Sequence, residues 1–260
     1  MKTNISTILI HLALTAPFFS LPATFAHAEV VPLLPDLQTV IPLQLQIVNK
    51  QQREILRFSN GVANTGDGPW QMRPEFPAND PTQPQKAIQR IIGSDGNLFD
   101  EQVVSEFQFH PDHNHWHINA IALFEIRADS PTGTIVGGNT LKTTFCLVDW
   151  YKMEGSSKTP DRVFFDCDGE LQGVSPGWVD QYHQATPGQQ LDITGMPPGL
   201  YYLVSTAGPD GNFVEKDTSN NTAWVGFRLS RDSKGNPKIK VEEHSDCETP
   251  ALCGVGAPNR

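Results

Sequence analysis

Four histidines lie within eight residues of one short stretch, at His110, His113, His115 and His117. Their spacing constrains the backbone directly. On a helix, His113 and His117 would share a face and His115 would point away. On an extended segment side chains alternate, so His113, His115 and His117 all project to one side, with Asn114 and Trp116 on the other. The extended form is therefore expected. At a rise of ~3.3 Å per residue, a straight strand would hold the outer two Cα atoms ~13 Å apart, near the limit at which two imidazoles reach one ion through bonds of ~2 Å. The segment must curve or bulge. Imidazole suits zinc, copper, iron and nickel rather than calcium or magnesium, and no cysteine is near enough in sequence to suggest a thiolate site. The competing reading is an exposed His-rich patch. A purification tag does not fit, because the cluster is internal and leads into the apolar run Ile118 to Phe124.

The rest of the chain reads as short strands. Leu43, Leu45 and Ile47 alternate with Gln44 and Gln46, while Leu200 to Val204 and Ala223 to Phe227 are brief apolar runs bounded by Pro, Gly and Asn. Residues 61–68, from Gly61 to Gly68, read as turn-rich. No long segment of helical period appears, so the expected fold is an all-β sandwich with long irregular loops, in a single domain. Residues 73–87 carry four prolines and no periodicity, and are expected to form a surface loop within the domain.

At the N-terminus, Lys2, an apolar stretch from Ile8 to Phe19 and Ala26-His27-Ala28 form a secretory leader with an A-x-A cleavage site, expected over residues 1–28. Its apolar run is too short for a spanning helix, and no later segment resembles one. The mature chain, 29–260, is then exported to the periplasm or the extracellular space. A formal charge of −10 argues against nucleic acid and mildly favours cationic partners. In an oxidising compartment the four cysteines can pair in three ways. The two local bridges, Cys146 with Cys167 and Cys247 with Cys253, are favoured over the crossed pairings and over free thiols.

Six segments, in order, resemble the lysyl oxidase family across roughly residues 100 to 230. His110 to His117 resembles the family's copper-binding W-H-x-x-H-x-H-x-H, with Phe109 in place of the Trp. Lys142-Thr143-Thr144-Phe145-Cys146-Leu147-Val148-Asp149 resembles K-x-x-F-C-L-x-D, and Gly173 to Tyr182 resembles G-x-S-P-G-x-x-D-x-Y. Leu191 to Thr194, Pro198 to Tyr201 and Glu215 to Asn221 follow in the family's order. The resemblance implies copper on His113, His115 and His117, and a lysine tyrosylquinone cofactor made from Lys142 and Tyr182. It also implies oxidative deamination of primary amines by dioxygen, giving an aldehyde, ammonia and hydrogen peroxide. The family's disulfide maps onto Cys146 and Cys167. His110 matches a family histidine that is not carried as a ligand, and Phe124 stands where animal members carry a His. The loop between the two cysteines is longer here, and the other family disulfides are missing.

A base is needed to take the proton from the amine-bearing carbon. Asp180 matches the family and lies two residues from Tyr182, whereas His183 is adjacent but is not a family position; a turn Asp and a surface His are equally compatible with these two. Asp217, Asn220 and Asn221 could coordinate calcium, but a D-x-x-N-N run more often makes a turn. Gly173-Val174-Ser175-Pro176-Gly177 formally matches a hydrolase nucleophile elbow. Pro176 has no N–H to give an oxyanion, which excludes that reading. Two rivals to the oxidase stay open: a three-histidine zinc hydrolase, and an exported copper-binding β-sandwich without catalysis.

Overall fold

The computed structural model describes residues 28–76, 80, 82–168 and 170–258, with 137–142 described by their backbone alone. Except for Ala28, the expected leader lies outside the described residues. Sixteen strands follow one another: β1 Pro32–Leu33, β2 Leu37–Thr39, β3 Leu43–Lys50, β4 Arg53–Asn64, β5 Trp70–Pro74, β6 Gln85–Gly93, β7 Leu98–His110 and β8 His115–Ala128. The second half holds β9 Ile135–Phe145, β10 Tyr151–Lys152, β11 Gln172–Val174, β12 Trp178–Tyr182, β13 Gln190–Asp192, β14 Gly199–Ala207, β15 Thr222–Arg231 and β16 Pro237–His244. Helical structure among the described residues is one 3-10 turn, Pro250–Cys253. No helix among them is long and apolar enough to cross a membrane.

The strands build two antiparallel sheets. The larger runs β11-β5-β6-β7-β8-β14-β15-β16, with β1 against β6 and β9 against β8; the smaller runs β10-β12-β4-β13, with β2 and β3 also against β4. Fully buried side chains meet between them, as in the edge-on contact of Phe58 on β4 with Phe124 on β8, ring centroids 4.7 Å apart. Polar groups caught in the same layer are paired: Thr39 Oγ1 on β2 and Ser205 Oγ on β14 lie 2.7 Å apart. The chain is thus the all-β sandwich that its alternating runs imply.

Two local expectations need correction. Gly61 lies inside β4 rather than in a turn, and the reversal begins only at Thr65. Gly61 is there for close approach, since a Cβ would stand 2.9 Å from Val179 Cγ1 and 3.0 Å from the Asp180 carbonyl of β12. The Pro-rich stretch also contributes to both flanking strands, because Arg73 and Pro74 close β5 and Gln85 opens β6. Pro74 ends an otherwise regular pairing with Ala87 on β6. Both disulfides form as the local spacing favours, Cys146 with Cys167 and Cys247 with Cys253.

Candidate metal centre and the tyrosine beside it

The histidines sit on a hairpin. β7 ends at His110 and β8 begins at His115, with these two residues directly paired and Gln108 opposite His117. His110, His115 and His117 therefore share one face by strand alternation. The opposite face carries Phe107, Phe109 and Trp116 into the core, with Trp116 at 5.7 Å from Phe109 and 6.0 Å from Phe107. His113 departs from the extended reading. It lies in the turn, where its N–H bonds the His110 carbonyl at 3.1 Å and Asn114 takes φ 56°. Asn tolerates this left-handed conformation better than most residues. The turn solves the reach problem by folding His113 back over the strand.

The ring nitrogens converge. His117 Nε2 lies 2.9 Å from His115 Nε2 and 3.3 Å from His113 Nδ1. Two nitrogens bound at ~2.0 to 2.1 Å to one ion stand ~2.9 Å apart at a right angle and ~3.3 Å apart at the tetrahedral angle, so each of these two contacts has the spacing of a shared ion. His110 stacks on His113 and His117 at 4.4 and 4.8 Å. A ligand ring holds its ion in the ring plane, so this face-to-face stacking marks His110 as packing against the set. Its nitrogen nevertheless lies in a group with those of His113 and His117 within 4.8 Å.

Burial disfavours the charged form of the His113, His115 and His117 rings, the direction that ligation requires. Burial, reinforced by the other three histidines, pulls the His117 imidazole down to about 3. Burial also lowers His113 and His115. On the far side of its ring, His117 Nδ1 lies 3.1 Å from Thr144 Oγ1 on β9. With the hydroxyl accepting, the proton sits on Nδ1 and the Nε2 lone pair faces the other rings. Thr144 escaped the sequence reading, although it lies within the K-x-x-F-C-L segment.

Tyr182 arrives from the other sheet. β12 pairs with β4, Tyr182 opposite Asn60, and the phenol ring stacks on Phe145 of β9 with centroids 3.7 Å apart and planes 15° from parallel. Its hydroxyl donates to the Cys146 carbonyl. Tyr182, His113 and His115 line one open cavity of about 600 Å³, together with His183, Thr186 and Pro187. A larger cavity, about 740 Å³, lies elsewhere and includes Arg90, Lys158 and Pro176. Its Lys158 ammonium is already bonded to the Thr65 and Gly66 carbonyls and Asp67.

Asp180, on the same face of β12 as Tyr182, is 3% exposed. Burial pushes its carboxyl well above the ordinary carboxylate range, while the Tyr182 phenol beside it pulls the other way. The phenol is itself pushed well up by burial and by Asp180. His183 Nδ1 accepts from the Ala185 N–H at 3.1 Å, which leaves the ring proton of the neutral tautomer on Nε2. Lys142 is placed on β9 opposite Leu123, and its side chain lies outside the described residues. Phe124 is fully buried against Phe58 and offers no proton route.

The remaining motif residues have structural partners. Asp149 is fully buried and accepts from the N–H groups of Val163, Phe164 and Ser175 and from Ser175 Oγ at 2.7 to 3.1 Å. Ser175 is thus a buried donor, consistent with rejecting the nucleophile elbow. Asp217 caps its turn by accepting from Ser219 N–H and Oγ at 2.8 and 2.7 Å. Asn220 and Asn221 do something else. Their amide nitrogens bond Asp36 at 3.2 Å and Glu215 at 2.8 Å, while their buried Oδ1 atoms have no hydrogen-bond partner. Glu215 Oε2 also accepts from the Leu37 N–H at 2.9 Å, and burial with neighbouring Asp36 and Asp217 pushes its carboxyl up.

An all-β sandwich with a histidine hairpin on one sheet and a half-buried tyrosine from the other lining the same cavity defines a narrow structural class. Residues 92–235, more than half of the chain, match the family model for lysyl oxidase. The chain belongs to the lysyl oxidase family. It is 30% identical over 125 residues to protein-lysine 6-oxidase from pig, Sus scrofa, covering 48% of this chain and 47% of that protein. The same figures hold for protein-lysine 6-oxidase from cattle, Bos taurus, except that 28% of that protein is covered. Lysyl oxidase homolog 3 from Homo sapiens is 33% identical over 114 residues, 44% of this chain and 14% of that protein. The match therefore spans less than half the length of each of these relatives.

Proposed function

We propose that this chain is an exported, copper-dependent amine oxidase acting on primary amines, whether a protein lysine or a small amine. The observation that carries the reading is the meeting of Tyr182, from the smaller sheet, with His113 and His115, from the larger, at one open cavity. A hydrolytic metal site needs only the three rings and a water. An oxidisable phenol, half-buried and anchored at the same cavity, has its use in a quinone cofactor.

His113, His115 and His117 would hold the copper, which supplies one-electron and dioxygen chemistry when bound. Lys142 and Tyr182 would supply the lysine tyrosylquinone. Phe145 and the Cys146 carbonyl fix the Tyr182 ring, and buried Asp180 is the candidate to take and return the proton. Residues 29–260 would form the exported catalytic domain after removal of 1–28, in keeping with two disulfides. Dioxygen would be the co-substrate, and ammonia, peroxide and an aldehyde the products.

The test is intact mass and peptide mapping of copper-loaded mature protein, with phenylhydrazine as the carbonyl probe. Labelling should be present in wild type and absent from both Lys142→Ala and Tyr182→Phe, which should stay folded and metallated. Unmodified Lys142 and Tyr182 in active, copper-loaded protein would defeat the oxidase reading and favour the zinc hydrolase or the binding module.

A second metal is favoured by the buried Oδ1 atoms of Asn220 and Asn221, which have no hydrogen-bond partner while their amide nitrogens hold Asp36 and Glu215. Oxygen donors suit calcium rather than copper. Asp36, Glu215, Asn220 and Asn221 would hold it, in a structural role.

A further inference from the structure

We infer that Gln172 is a positioning residue that sets the place of the metal ligands relative to Tyr182; this rests on the copper reading above. Gln172 is fully buried on β11. Its Oε1 accepts from the Leu147 N–H at 3.2 Å, and its Nε2 donates to the carbonyls of Trp116 at 2.9 Å and Asp168 at 3.0 Å. Two carbonyls and one N–H fix which end of the amide faces which way.

The peptide groups it joins are the ones that matter. Trp116 C=O belongs to the peptide unit that leads into His117. Leu147 N–H belongs to the Cys146–Leu147 peptide unit, whose carbonyl receives the Tyr182 hydroxyl. One amide therefore connects the peptide presenting a ligand ring to the peptide anchoring the tyrosine. Hydrogen bonds in such a chain polarise one another, so the connection is stiffer than its separate parts.

A second bond reinforces it from the same segment. Trp116 N–H, in the peptide unit that leaves His115, donates to the Cys167 carbonyl at 3.1 Å. Both peptide units between His115 and His117 are thus pinned by residues 167–172, and the Cys146–Cys167 bridge closes the loop. No metal ligand and no part of the tyrosine touches Gln172 in any bond named here, so its effect must pass through the backbone.

The test uses the full mature chain with Cu(II) as the probe. Gln172→Met removes all three bonds at similar volume, and Gln172→Glu keeps an acceptor for Leu147 while losing the donors to Trp116 and Asp168. Changing a partner that orients a ligand typically weakens metal binding about 10- to 100-fold, and that loss is expected for both variants in a competition titration. The Cu(II) electron paramagnetic resonance spectrum should shift with it. Ser205→Ala, which removes a buried hydroxyl bonded to Thr39, should lower the melting temperature and leave affinity and spectrum alone.

Folded Gln172 variants with an intact Cys146–Cys167 bridge, affinity within twofold of wild type and an unchanged spectrum would overturn the positioning role. If neither variant folds, the unaltered protein decides. Zn(II), a diamagnetic probe, should shift the Gln172 side-chain amide resonance in a nitrogen-15 spectrum, and no shift overturns the inference. Failure of wild type to bind either ion would instead overturn the copper reading beneath it.

Discussion

The histidine hairpin and the Glu215–Asn221 cradle both gather metal-type donors, and they are assembled in opposite ways. The hairpin takes its rings from one stretch of chain and folds that stretch back on itself, so a turn at His113 and Asn114 does the assembling. The cradle joins Asp36, near the start of the described chain, to a loop some 180 residues later. Its geometry exists only once the sandwich has closed. A local site can pre-form on its own hairpin, whereas a nonlocal site reports on the whole fold. Metal loss should therefore act on function at the first and on stability at the second.

The largest expected effect is at the hairpin. His117→Ala should abolish stoichiometric copper, read by elemental analysis, while His110→Ala should keep it because the stacked ring is outside the three-nitrogen set. Full occupancy in the His117 variant would break the ligand assignment, and loss in the His110 variant would enlarge the set to four.

Next comes the Cys146–Cys167 bridge. Closing a loop of that length contributes ~3 kcal/mol in the chain-entropy model, and the shorter Cys247–Cys253 loop ~2 kcal/mol. Paired Cys→Ala variants compared by urea unfolding should reproduce that order. Only loss of the first bridge should also lower phenylhydrazine labelling, since it alone abuts the anchor of Tyr182.

Calcium at ~100 times its dissociation constant should stabilise the protein by ~2.7 kcal/mol and raise the melting temperature by several degrees. Asn221→Leu should remove that response and His117→Ala should not. A melting temperature indifferent to millimolar calcium would empty the second half of the comparison.

The smallest effect is a surface control. Thr194, by its hydroxyl and then its N–H, and Arg53 hold the Asp192 carboxyl down at about 2. A depressed acid contributes stability that is complete above its unfolded value near ~3.9 and is lost as pH falls through about 2. Solvent exposure keeps this below ~1 kcal/mol. Asp192→Asn should flatten that pH window in acid unfolding curves without touching either metal.

What the sequence disclosed follows the same division. Alternation placed β3, short apolar runs placed β14 and β15, and the two-residue spacing of His113, His115 and His117 pointed to the start of β8 and to a candidate metal site. The turn at His113 was visible only as a distance that a straight strand could not close. Gly61 misled because glycine is as useful for close strand approach as for reversal. Thr144, Gln172, Asp36 and Glu215 stayed hidden because their partners are set by sheet packing, which no local spacing encodes.

Phe145 covers one face of the Tyr182 ring at 3.7 Å. The ring is therefore one-sided, although the phenol itself has no handedness. An amine reaching it through the open cavity would present the two hydrogens of its CH₂ group to unlike surroundings, one toward the protein and one toward solvent. Chiral deuterium labelling of that carbon would then show one hydrogen leaving in strong preference to the other, and Phe145→Ala would blur the choice.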